Sequence, residues 1–103
     1  MRSDELIQDT TTSTFTGSAI DVSQCRQFSI DLTVNSGATA TFAIYGKARK
    51  AGSWVRIDGD YTLSGLTASA VVPFATPMMY ARVDCTSVSG GSVAVGIVRE
   101  RKS

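Results

Sequence analysis

Histidine is absent from this 103-residue chain, and only two cysteines, two prolines and one tryptophan occur in it. The missing histidine removes the commonest general base and the commonest metal ligand together. Cys25 and Cys85 form no Cys-x-x-Cys pair. A disulfide between them would suit an oxidising compartment, whereas a reduced, half-buried pair suits a chain without an export signal. No apolar run approaches the ~20 residues of a membrane span, and the opening MRSDELIQDT lacks the apolar centre of a signal peptide. The expectation is a protein made and used without Sec-type export. Charged residues make up 18% and the net charge is +1, which argues against a general nucleic-acid-binding surface. No phosphate-binding glycine loop or dinucleotide fingerprint occurs, and Asn35-Ser36-Gly37 fails as a glycosylation triplet at its third residue. Serine, threonine and aspartate are plentiful, but no histidine or suitably placed lysine activates a nucleophile. A non-enzymatic protein without cofactor or metal is expected.

What the chain does have is alternation. Over residues 27–35, Phe28, Ile30, Leu32 and Val34 interleave with Ser29, Asp31 and Thr33. Strand side chains point to opposite faces with a period of two, so this segment lays one apolar face on a core. A first strand is expected over residues 15–22, broken by Gly17. The pattern recurs with Ala40, Phe42 and Ile44, then with Leu66, Ala68, Ala70, Val72 and Phe74, then with Met79, Ala81, Val83 and Cys85, and finally with Val93, Val95 and Ile97. Turn chemistry at Asn35-Ser36-Gly37, Asp58-Gly59-Asp60 and Ser89-Gly90-Gly91 separates these runs. About eight short strands at regular spacing predict an all-β, antiparallel β-sandwich over residues 15–98, of jelly-roll type. Immunoglobulin-like and barrel arrangements share the same parity. A chain of this length buries roughly two-thirds of its unfolded surface, enough for a core without staples. Phe28, Ile30, Leu32, Phe42, Ile44, Val83, Val95 and Ile97 are the expected core.

Residues 1–14 carry few apolar side chains after Met1, chiefly Leu6 and Ile7, and read as an extended arm that cannot fold on its own core. Residues 99–103 form a basic tail with Arg99, Arg101 and Lys102. The acidic arm of one subunit could meet the basic tail of the next, or both ends could be solvated. Lys47, Arg49 and Lys50 make a basic tip beside Trp54. That tip could grip phosphate, an acidic sugar or an acidic protein patch with Trp54 stacking on a ring. The competing reading is a solvated hairpin loop whose Trp54 lies in the core. Asp58 and Asp60 flank a glycine, and an Asp-Gly turn accounts for them without a cation, which would want six or more oxygens.

The order Trp54-Val55-Arg56-Ile57, Leu63-Ser64-Gly65, Tyr80-Ala81-Arg82-Val83 and Val88-Ser89-Gly90-Gly91-Ser92-Val93 resembles the small β-rich virion proteins of tailed bacteriophages, over roughly residues 54–98. That group includes capsid decoration (cement) proteins and also tail and adaptor components. The resemblance implies a jelly-roll-like domain that clamps neighbouring major-capsid subunits on the virion surface, commonly as a homotrimer on local three-fold axes. Charge and hydropathy leave no nucleic-acid or membrane partner to expect, and no small-molecule ligand is expected. It carries over no individual functional residue. The contact regions expected for such a role are the termini and the basic loop: Leu6, Ile7, Lys47, Arg49, Lys50, Arg99, Arg101 and Lys102. A tail, adaptor or head-fibre component is one alternative. A carbohydrate-binding module using Trp54, Tyr61 or Tyr80 as a stacking platform is the other.

Overall fold

The structure, a computed structural model, describes residues 2–58, 63–75 and 78–101. Eight strands run through them: β1 (Arg2–Thr11), β2 (Ile20–Asp21), β3 (Cys25–Val34), β4 (Thr39–Lys47), β5 (Val55–Arg56), β6 (Ala70–Phe74), β7 (Tyr80–Ser89) and β8 (Val93–Arg101). They form two four-stranded sheets, ordered β1-β8-β3-β6 and β2-β7-β4-β5. Among the described residues there is no helix. The pairs β1–β8, β2–β7, β3–β6 and β4–β5 are all antiparallel and nest inside one another. That nesting, a hairpin of four strand pairs wrapped into two layers, is the jelly roll.

Alternation decides what the layers enclose. Ile30, Leu32, Ile44, Val72, Val93 and Val95 are completely shielded, and every expected core residue is buried. Each such side chain contributes on the order of 1.5–3 kcal/mol through removal from water. The β3–β4 and β7–β8 turns meet at one end of the sandwich. Gly37 and Gly90 adopt φ of 89° and 76° there, a region that L side chains rarely enter. A Cβ at Gly90 would stand 2.5 Å from the Gly37 carbonyl oxygen. Asn35 ties the same end together, its amide nitrogen donating to the Ser92 hydroxyl at 2.7 Å.

Four expectations need correction. Residues 2–11 are an edge strand on β8, held by backbone pairing rather than by burial. Ile7 packs against the core while Leu6 points out, so the composition looks like that of an arm. The basic tail likewise begins inside the fold, because β8 continues to Arg101. The acidic and basic ends do meet, but within one chain: Glu5 and Arg99 form an ion pair at 2.9 Å. Finally, the strand expected over residues 15–22 is reduced to β2 and a single bridge from Phe15 to Cys85. Gly17 passes so close to β7 that a Cβ would lie 2.2 Å from the Val83 carbonyl oxygen.

Cys25 and Cys85 are not bonded to each other. Burial pushes the Cys85 thiol above its ordinary pKa, against a smaller opposing effect of its hydrogen bond to the Ser87 carbonyl.

Candidate functional site

Large side chains with both aromatic and cationic character gather on the outer face of the second sheet. Strand parity puts them there. Ala81, Val83 and Cys85 of β7 turn inward, so Arg82 projects outward, and its register partner on β4 is Tyr45, which in turn pairs with Arg56 on β5. The Arg82 guanidinium lies 4.6 Å from the Tyr45 ring centroid and 5.0 Å from that of Trp54. Lys47 Nζ sits 4.7 Å from the Trp54 centroid, and the Arg56 guanidinium 5.8 Å from that of Tyr45. Each cation–ring contact of this kind is worth about 0.5–1 kcal/mol at an exposed site and more when desolvated.

Two buried carboxylates fix the arginines from below. Arg82 donates from Nε and Nη2 to the two oxygens of Asp84 at 3.1 and 3.0 Å. Arg56 grips Asp58 in the same way, at 3.0 and 2.6 Å. Such forked pairs fix the orientation of the guanidinium plane as well as its position. Asp58, chiefly by hydrogen bonding, holds the Arg56 guanidinium above its ordinary pKa. The backbone N–H of Gly17 also donates to Asp84, at 3.0 Å, so the β1–β2 connection is tied to the platform. The arrangement is a rigid ridge with flat rings and oriented donors. Chemically it suits recognition by stacking and charge.

The expected contact residues divide between this ridge and other places. Lys47 belongs to the ridge, and Arg49 and Lys50 stand exposed on the turn that follows, where Gly52 N–H donates to the Arg49 carbonyl at 3.0 Å. Arg99 donates to the Asp21 carbonyl at 3.1 Å. Because Asp21 pairs with Tyr80, and Tyr80 with Lys47, Arg99 and the basic loop share one end of the sandwich. Leu6 is on the far sheet, Ile7 is half-buried, and Lys102 lies outside the described residues, as do Asp60 and Tyr61. Trp54 is half-buried on the outer face, not in the core. Asp58 commits both carboxylate oxygens to Arg56.

Tyr45, Arg56, Arg82 and Asp84 are not among the expected site residues. A signal for them exists in the chain: Arg56-Ile57-Asp58 and Arg82-Val83-Asp84 repeat one triplet. On a strand, residues two apart share a face, so each triplet sets an arginine beside a carboxylate with an apolar residue between them.

No family model matches the chain, and neither does any curated protein. Its fold, however, is that of a prophage protein. The crystal structure of the SPBc2 prophage-derived protein YomS superimposes with a TM-score of 0.75 at 16% identity, covering 96% of this chain and 92% of that one. A carbohydrate-binding module of a family 9 glycoside hydrolase (Cel9A) from Ruminococcus flavefaciens FD-1 gives a TM-score of 0.48 at 8% identity, covering 98% of this chain and all (100%) of that one. Infectious bursal disease virus, Gx strain, gives 0.43 at 16% identity, covering 99% of this chain and 31% of that one. The likeness to YomS is one of fold, and the two weaker likenesses carry no argument.

Proposed function

We propose that this chain is a non-enzymatic structural protein of a tailed-phage particle, acting as a capsid decoration (cement) protein on the virion surface. It binds the major capsid protein through protein–protein contacts alone, as a homotrimer, and needs no cofactor. The observation that carries the reading is the likeness to a prophage-derived protein over 96% of this chain and 92% of that one. One jelly roll accounts for nearly the whole of both chains. The ridge supports the same reading, because Trp, Tyr and Arg are the residue types enriched where protein interfaces concentrate their binding energy. Cementing requires buried area rather than chemistry, on the order of 1,000 Å² or more per stable contact.

The test is to mix the purified chain with empty, undecorated capsids and pellet them. Saturable co-sedimentation in fixed ratio to the major capsid protein, with matching density on the shell by electron cryo-microscopy, is the expected result. Binding to isolated tails or portal complexes but not to capsids would replace this reading with a tail or adaptor role. Binding to neither, with retention on a glycan array, would favour a carbohydrate-binding module that uses Trp54 and Tyr80.

A further inference from the structure

The two outer faces of the sandwich differ in relief, in apolar content and in charge. On the first sheet, strand register sets Leu6, Gly96, Asp31 and Val71 in one transverse row. Asp4, Val98, Ser29 and Pro73 form the next row. Gly96 has no side chain, so the row dips at its centre, and a groove of about 310 Å³ opens between Asp4, Leu6, Asp31 and Val98. A Cβ at Gly96 would meet the Glu5 carbonyl oxygen at 3.4 Å and the Asp31 Cβ at 3.9 Å, ordinary contacts that leave the backbone undisturbed. Leu6 and Val71, at the two ends of the row, are 59% and 61% exposed. Asp4 and Asp31 have no cationic partner among the described residues.

The second sheet is the converse. Its outer face carries the large side chains of Tyr45, Trp54, Arg56 and Arg82, and Val55 beside them is 60% exposed. The ridge and its adjoining turn carry Lys47, Arg49, Lys50, Arg56 and Arg82 against the carboxylates Asp58 and Asp84. It is basic where the groove is acidic.

The strand edges, by contrast, are poor joining points. β1 breaks register twice, β6 contains Pro73, and β2 and β5 are two residues long. Irregularity, proline and shortness each suppress edge-to-edge pairing. The broad faces remain. With extents of 40 × 28 × 23 Å, a face can supply the ~800 Å² per partner that stable interfaces bury.

We propose that the acidic groove of one copy receives the aromatic–arginine ridge of a second copy of this chain. Leu6 and Val71 cover the rings of Trp54 and Tyr45, and Asp31 and Asp4 face Lys47 and Arg56. The two patches are different surfaces, so the contact is head-to-tail, and each copy offers its ridge to one neighbour and its groove to the other. Such contacts propagate into a ring or a chain of copies. The inference rests on the reading of this protein as one that assembles on a particle, and it names the surfaces that join the copies.

Sedimentation velocity of the full chain over a concentration series tests it. The wild type is expected to associate, and to do so less as salt is raised, because exposed charge pairs are screened. Asp31→Lys should raise the half-association concentration by about tenfold or more, through like charge against Lys47. Gly96→Val fills the groove and Trp54→Ala removes the ridge, so each should be monomeric alone. Mixed in equal amounts, these two should form a pair that stops at two copies, since one ridge and one groove remain intact. Near-UV circular dichroism and thermal melting check that every variant is folded. A wild type that stays monomeric throughout, or association untouched by Asp31→Lys and Gly96→Val, overturns the proposal. Capsid co-sedimentation separates the two readings. A monomer that still decorates capsids sinks this inference and the homotrimer but leaves the decoration role standing, whereas association through these faces without particle binding sinks only the decoration role.

Discussion

The inner and outer faces of the two sheets obey different rules. Inside, the sheets are alike in burial: Ile30, Leu32, Val93 and Val95 from the first meet Phe42, Ile44, Ala81 and Val83 from the second, and Leu32 and Ile44 are both 0% exposed. Outside, they diverge. The first sheet shows Leu6, Val71 and the carboxylates of Asp4 and Asp31, while the second shows the rings of Tyr45 and Trp54 against cations, with Arg56 and Arg82 clamped by buried aspartates. A shared core imposes one chemistry on both inner faces, because water is excluded from both alike. The outer faces are free of that demand, and their chemistry differs.

The largest effect should come from breaking the equivalence inside. Leu32→Ala on the first sheet and Ile44→Ala on the second should each cost about 2–5 kcal/mol in denaturant unfolding. A small loss for one of them alone would show that the two layers do not share a single core.

Next is the clamp under the ridge. Asp84→Ala removes a forked ion pair and the acceptor for the Gly17 N–H. It should destabilise by about 1–3 kcal/mol, with Arg82 losing its fixed position over Tyr45. Trp54→Ala should cost less, about 1 kcal/mol, because Trp54 adds ring contacts to the outer face and nothing to the core. Thermal melts of the two variants side by side would rank clamp above ring, and the reverse order would mean that the ring carries the ridge.

Smaller still, Leu6→Ser on the first sheet should change stability by no more than about 0.5 kcal/mol, since Leu6 is already exposed. The faintest effect is electrostatic. Hydrogen bonds from Arg26, and then from Gln27, hold the Glu100 carboxyl below its ordinary pKa. A depressed carboxylate lends stability that is present above its unfolded pKa and is lost as pH falls through the folded value. A carbon-detected NMR titration should therefore find the Glu100 midpoint below that of an ordinary glutamate, and Arg26→Ala should move it back up.

The alternation of residues 27–35 makes β3 and its buried face legible in the chain alone, and Val93, Val95 and Ile97 do the same for β8. β1 is not legible. An edge strand gains its place by backbone pairing to one neighbour, so it needs few apolar side chains and leaves only Ile7 to betray it. The ridge is half legible. Lys47 and Trp54 stand out as a basic tip beside a ring, but Arg82 is distant in the chain, and nothing local says that Tyr45 lies opposite it.

The amino-acid sequence by itself determined the inward faces of β3, β4, β7 and β8, the turns at residues 35–37 and 89–91, and that the protein is all-β. Those follow from the period of a strand and from turn chemistry, both set within a few residues. Only the tertiary structure decided the nesting of the strand pairs, the capture of residues 2–11 as an edge, and the meeting of Trp54, Arg82 and Tyr45 over Asp84. These depend on pairing between distant segments, where register rather than composition brings side chains together.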